Sequence, residues 1–242
     1  MIKDVDILDA YMSKLKPEPC YASSWRKLAR AFEVVIGHEA AVHPWDVSVN
    51  LDPCDLESRV GYSSCLLGAR KYPRAREVIS QAGEHQPESS AAVFHIGWVY
   101  NHCHDLPESQ RSSMYDTCLK KALKLALAGK CVSDEDYYCA SIASNLLDKV
   151  ADVVIMHDWN AAFPDSAKRY NALGKRAESS GEHDSALRCY MKAADLDRSN
   201  SDYVENVLSY IPYEDSRLRN HWTARLSEAI KLQSDLSKLL AD

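Results

Sequence analysis

Residues able to hold a metal or move a proton are plentiful in this sequence, but their spacing suits neither task. His38 and Glu39, followed by His43, supply two imidazoles and a carboxylate, the types used by zinc-protease helices. Ligands four apart lie ~40° apart around a helix axis, whereas ligands five apart lie ~140° apart. His38 and His43 are five apart, so one ion cannot be reached from both on a single helix face. His102-Cys103-His104-Asp105 is a denser cluster. It falls at a helix end, where a loop could turn neighbouring side chains together. A zinc site takes about four converging ligands and a supporting shell of hydrogen bonds, and no CxxC or HxxxH partner is present. A histidine is also favourable at a helix C-terminus for electrostatic reasons alone. His157-Asp158 and His183-Asp184 lie in helical or turn context and need no catalytic explanation. There is no GxxxxGK[ST], GxGxxG or GxSxG. The expectation is no enzyme, no cofactor and no metal. The alternative is a helical enzyme or metal-dependent protein built on His102–Asp105.

The 242 residues suffice for one domain or an extended array, and 46% hydrophobic content is ordinary for a folded chain. Helical periodicity dominates, and long Val/Ile/Thr alternation is missing. A net charge of −6, with both signs interspersed, argues against nucleic acid as a partner. The N-terminus is too acidic for a secretory or transit signal, and no run approaches the roughly 20 apolar residues of a membrane span. Eight cysteines, scattered without paired spacing, are expected to be reduced and mainly buried in a cytoplasmic compartment.

These residues need elements to position them, and the clearest elements lie in 167–200, AKRYNALGKRAESSGEHDSALRCYMKAADLDRSN. Tyr170, Leu173, Gly174 and Ala177 share one face of a first helix, and Ala186, Tyr190 and Ala193 one face of a second. Gly181 stands between the helices. Gly174 and Ala186 are small enough to let them approach closely. This 34-residue pattern resembles a tetratricopeptide (TPR) repeat. Such a hairpin cannot bury its apolar face alone, so the resemblance implies neighbours. Stepping by 34 residues places further hairpins at 22–55, 56–89 and 133–166, with an enlarged unit at 90–132. Trp25, Leu28, Ala29 and Phe32 mark the first of these units, and Tyr62, Leu66, Ala75, Ile79 and Ala82 the second. Val93, Ile96, Gly97 and Tyr100 mark the third. Pro44 is expected to break or shorten the helix after His38, whereas Pro73 opens its helix without cost. The surplus in 90–132 is expected as a loop over His104–Ser112, before a helix Ser113–Ala128. Segment 133–160 is open to reading as one helix or two. A half-TPR repeat, with Trp25-x-x-Leu28-Ala29 and then Glu33, is a sibling resemblance.

The resulting fold class is all-α, a right-handed α-α superhelix of TPR-like hairpins with capping helices. The N-terminal segment 1–21 contains a short helix Asp4–Lys16. Segment 201–242 contains a helix over Asp202–Tyr210 and a long one over 214–241. The stripe Leu218, Trp222, Leu226, Ala229, Leu236 and Leu240 suits capping, with dimerisation or partner binding as the alternative.

The TPR resemblance implies that first helices line a groove for a peptide or protein partner. Carried onto this chain, that surface is Phe94, Trp98, Asn101 and His102 in the third unit and Lys168, Asn171, Lys175 and Glu178 in the last. Aromatic side chains there would act as anchors, and lysine and asparagine would hold a carboxylate or backbone group. The Lys/Asn/Arg clamp that some TPR proteins use for chaperone C-termini is incomplete: Lys168 fits it, but Ala172 occupies the arginine position. The functional expectation is a non-catalytic interaction adaptor or a scaffold subunit of a larger assembly.

Overall fold

A computed structural model describes residues 20–239 except 148, 199 and 212–214, and the side chains of these residues except 34, 35, 149 and 231–239. The helix expected over Asp4–Lys16 lies outside the described residues, as do Pro212, Leu240 and the side chain of Leu236. The described residues form twelve α-helices and no strand. Two compact units are present, one ending at Lys149 and one spanning Val150–Leu239.

The first unit contains α1 (Ala22–Val35), α2 (His38–Leu51), α3 (Leu56–Gly68), α4 (Tyr72–His85), α5 (Ser90–Asn101), α6 (Glu108–Leu127) and α7 (Asp134–Leu147). Each helix packs on the next, and α1, α3, α5 and α7 also touch in succession, so first helices form a layer of their own. Trp25, Leu28 and Phe32 of α1 meet Trp45 of α2, Tyr62 and Leu66 of α3 and Ile79 of α4 in one core cluster. Phe94 of α5, Cys118 and Leu119 of α6 and Cys139 of α7 belong to a second.

Helix ends follow local chemistry. Asp55 and Ser89 cap α3 and α5 by accepting from the backbone N–H groups of Glu57 and Ala92. Pro73 lies in the first turn of α4. Pro44, however, does not end α2, whose 14 residues run from His38 through it to Leu51. The ring is fully buried. Its apolar contact, with that of neighbouring Trp45, offsets the hydrogen bond that the missing N–H removes. The third pair also departs from expectation. Helix α6 starts at Glu108, so part of the surplus length expected as loop is helix, following Pro107 at the N-cap.

Polar ties set the spacing between helices. Asp136, 2% exposed at the start of α7, accepts from Ala91 N–H at 3.0 Å and from the Ser89 and Ser133 hydroxyls at 2.7 and 2.8 Å. Burial opposes its charge, but these hydrogen bonds outweigh burial and hold its pKa below the ordinary aspartate value. Arg59 of α3, 3% exposed, donates to the Pro53 carbonyl at 2.7 Å and to Gln81 Oε1 of α4 at 2.7 Å.

The second unit contains α8 (Lys149–Ala162), α9 (Ala167–Ser179), α10 (His183–Leu196), α11 (Ser201–Tyr210) and α12 (Ser216–Leu239). Lys149, the first residue of α8, closes the first unit. Whether α7 and α8 are one helix or two turns on Asp148, outside the described residues. Helices α9 and α10 form a tight hairpin. Gly181, at φ 75°, makes its turn in a conformation that favours glycine, and Glu182 N–H closes on the Ala177 carbonyl at 2.8 Å. The Tyr190 ring lies over Gly174. Arg176 of α9 grips both carboxylate oxygens of Asp152 on α8. Tyr190, Val204, Val207 and Trp222 share the core of this unit, with Leu218 and Leu226 packed on it. Trp222, Leu218 and Leu226 of α12 are thus spent on its own unit.

Candidate partner-binding surface

Along α5, Phe94, Trp98 and His102 follow at four-residue spacing but differ in burial. Phe94 turns into the core and is only 6% exposed, so it leaves the set of side chains a partner can reach. Its apolar ring is worth more against Leu119 and Ala122 than in water. Trp98 and His102, one and two turns further along, stay half-buried. Their rings lie 4.3 Å apart, and His102 Nδ1 donates to the Trp98 carbonyl at 2.7 Å. This tie fixes the imidazole on the indole. Trp98 is also packed against the core from below. Asn101 gives its carbonyl to Arg111 Nη1 at 2.9 Å.

In the second unit, α9 carries the charged set. Lys175 and Glu178 are exposed and Lys168 is half-buried. Asn171 is buried and accepts from Asn206 Nδ2 at 2.9 Å, so its amide is committed to α11 rather than to a ligand. Glu178 accepts from the Tyr190 hydroxyl at 2.7 Å. Hydrogen bonds from Tyr190 and then Tyr210 hold its carboxyl below the usual glutamate range. The aromatic and charged sets therefore sit in different units.

The side chains of 102–105 do not bring three ligand atoms within reach of one ion. His102 faces Trp98, and buried Cys103 lies 3.9 Å from the Tyr72 carbonyl. His104 Nδ1 is 3.4 Å from Arg111. Asp105 takes two hydrogen bonds from Arg76 at 2.6 and 2.9 Å, which raise the arginine pKa and lower that of the carboxylate. Cys103 and Asp105 thus share Arg76, and Cys103 and His104 both lie against Tyr72. His38 and His43 part in the same way: His38 faces Glu33, and His43 meets the Trp25 ring edge-on. Among the described residues, the groups of three or more metal-ligating side chains are Glu33–His38–Cys65 and His95–Glu135–Cys139.

Two depressions that sequence reasoning passed over lie on the first unit. One, about 570 Å³, is floored by Tyr100, Leu106 and Met114 with Arg76 at its side. The other, about 540 Å³, sets Leu123, Leu127 and Leu147 beside Lys120 and Lys124. The first draws on residues from three helices, whereas the second is lined mainly by one face of α6, with Leu147 added from α7.

No family model matches the sequence, and a search of curated proteins finds no match. Solved structures do match. TTC0263, a TPR protein of Thermus thermophilus, is 15% identical at a TM-score of 0.54, over 78% of this chain and 98% of that one. The fold is TPR-like. A chain of the APC/C hetero-tetramer Cut9–Hcn1 matches 98% of this sequence at a TM-score of 0.51 and 11% identity. Human IFIT1, solved as a dimer with m7Gppp-AAAA, matches 78% at a TM-score of 0.52 and 14% identity. The TPR-like chain spans 46% of the length of each of these last two. None of its described helices is long and apolar enough to cross a membrane.

Proposed function

We propose that this TPR-like chain is a non-catalytic adaptor, or a scaffold subunit of a larger assembly, with the hairpins 22–55, 56–89, 90–132, 133–166 and 167–200 as its repeats. Partner contacts lie on first helices of each unit taken by itself: Trp98 and His102 in the first, and Lys168, Lys175 and Glu178 in the second. The observation that carries this reading is the Trp98–His102 pair. It is a half-buried aromatic face, held rigid by the hydrogen bond to the Trp98 carbonyl. Little conformational freedom is lost when such an anchor is covered, so its burial contributes more to affinity than a mobile rim contact does. The partner is a protein or peptide, not nucleic acid, in keeping with the net charge of −6. A reducing, cytoplasmic compartment suits the buried thiols Cys65, Cys103, Cys118 and Cys139.

Affinity capture from the native source with the wild-type chain, a His102→Ala variant and a Trp98→Ala/Lys175→Glu variant tests the assignment. The expected outcome is a partner retained by wild type, weakened by the first variant and lost with the second, with helical circular dichroism unchanged. Equal capture by all three folded proteins overturns it.

A further inference from the structure

We propose that His95, Glu135 and Cys139 form a binding site for one divalent transition-metal ion of the zinc class. Glu135 and Cys139 are four apart on α7 and so share a face. His95 reaches them from α5 across the seam where these first helices touch. The three donor atoms form a nearly regular triangle. His95 Nε2 lies 3.2 Å from Glu135 Oε1 and 3.7 Å from Cys139 Sγ, and that sulfur lies 3.6 Å from the same carboxylate oxygen.

Zinc bonds of ~2.0 Å to nitrogen and oxygen and ~2.3 Å to sulfur, at tetrahedral angles, require donor separations of ~3.3 Å for N···O and ~3.5 Å for each pair with sulfur. The observed edges match that face of a tetrahedron within a few tenths of an ångström. Imidazole, thiolate and carboxylate together select zinc-class ions over magnesium or calcium, which take oxygen.

The site is held in place from outside. One residue from Glu135, Asp136 fixes the start of α7 to Ser89, Ser90 and Ala91 at the start of α5. That tie sets the register that brings His95 opposite Glu135 and Cys139. Cys139 is fully buried, whereas the His95 and Glu135 side chains remain 16% and 31% exposed. An ion can therefore enter past the histidine and carboxylate, and its fourth position is left for water or an incoming side chain. On binding, the Cys139 thiol gives its proton to solvent and the sulfur coordinates as thiolate. His95 also precedes Trp98 by three residues, so the ion would lie next to the aromatic pair on α5. The site does not depend on the partner assignment.

The group Glu33–His38–Cys65 has the same residue types, but its thiol donates outside the set, to the His38 backbone carbonyl at 3.0 Å, whereas the Cys139 thiol donates within its set, to Glu135. Burial, then the charge of Glu33, push this thiol up to about 12. It is the natural comparison.

Cobalt(II) titration of the full chain with its thiols reduced, followed by absorbance and then displaced with zinc, tests the proposal. The expected result is one cobalt per chain with a single sulfur-to-cobalt charge-transfer band that zinc abolishes. Cys139→Ser removes the band. His95→Ala and Glu135→Gln, which change partly exposed side chains, each weaken binding by more than about tenfold. Cys65→Ser leaves it unchanged. Absence of a thiolate band in the wild-type chain overturns the site. So does a band that survives Cys139→Ser, a band lost in Cys65→Ser, or full affinity in folded His95→Ala.

Discussion

At the residue scale, the side chains that matter are those whose partners lie far away in sequence. Asp136 is the last of three consecutive acidic residues, Asp134 to Asp136; Ser133-x-x-Asp136 marks it as a helix-start cap, but nothing near it in sequence marks its tie to α5. In the fold it is 2% exposed and collects donors from Ser89, Ala91 and Ser133. Removing the carboxylate leaves those donors buried without an acceptor, and the cost is the desolvation of each. Asp136→Ala is expected to lower unfolding free energy by about 3 kcal/mol, and Asp136→Asn by less, because an amide oxygen still accepts from Ala91. Urea denaturation followed by circular dichroism measures both. Equal stability of Asp136→Ala and wild type would show that the tie is idle. Phe94 carries the complementary lesson. Its position in the TPR pattern marked it as a groove residue, but whether an aromatic ring on α5 turns inward depends on what α6 and α7 leave room for. The structure places it beside Leu119 and Ala122.

At the element scale, helix contacts depend on small residues that let neighbours in. A Cβ on Gly174 would lie 2.5 Å from the Tyr190 ring, and one on Gly61 2.2 Å from Trp45. Alanine is intrinsically the better helix former by about 1 kcal/mol. The clash should nevertheless win, because a well-packed interface resists an inserted methyl by about 1–3 kcal/mol. Gly174→Ala and Gly61→Ala are expected to lower the thermal midpoint, as read by circular dichroism, and a raised midpoint in either would show that the helices can yield. The close approach at Gly174, with Tyr190 filling the space beside it, was legible from the sequence; how near the ring comes was not, because spacing alone does not fix a rotamer. Pro44 shows the opposite limit. Local propensity argues for a break, but burial of its ring keeps α2 intact.

At the scale of the whole molecule, each compact unit must close its own core. In the second, Trp222 of α12 is 2% exposed and shares a cluster with Tyr190, Val204 and Val207. This is what a terminal helix does for a repeat array, whose last hairpin otherwise leaves an apolar face in water. Trp222→Ala is expected to lower stability by about 3–5 kcal/mol. Denaturation of the full chain with equal midpoints for variant and wild type would remove α12 from that role.

The sequence by itself determined that the chain is helical, where its apolar faces recur, and that its fold is TPR-like. These follow from periods of three and four residues and from turn chemistry at positions such as Gly181 and Pro73, both of which are local. It also marked Trp98 and His102 as near neighbours, because they lie one turn apart on α5. Only the tertiary structure decided that the 102–105 cluster turns to Trp98, Tyr72, Arg111 and the shared Arg76 rather than to one ion. It also brought His95 within reach of Glu135 and Cys139, residues 40 and 44 positions away. No short-range pattern encodes that meeting. It depends on the seam between α5 and α7, fixed by core packing and by the buried carboxylate of Asp136.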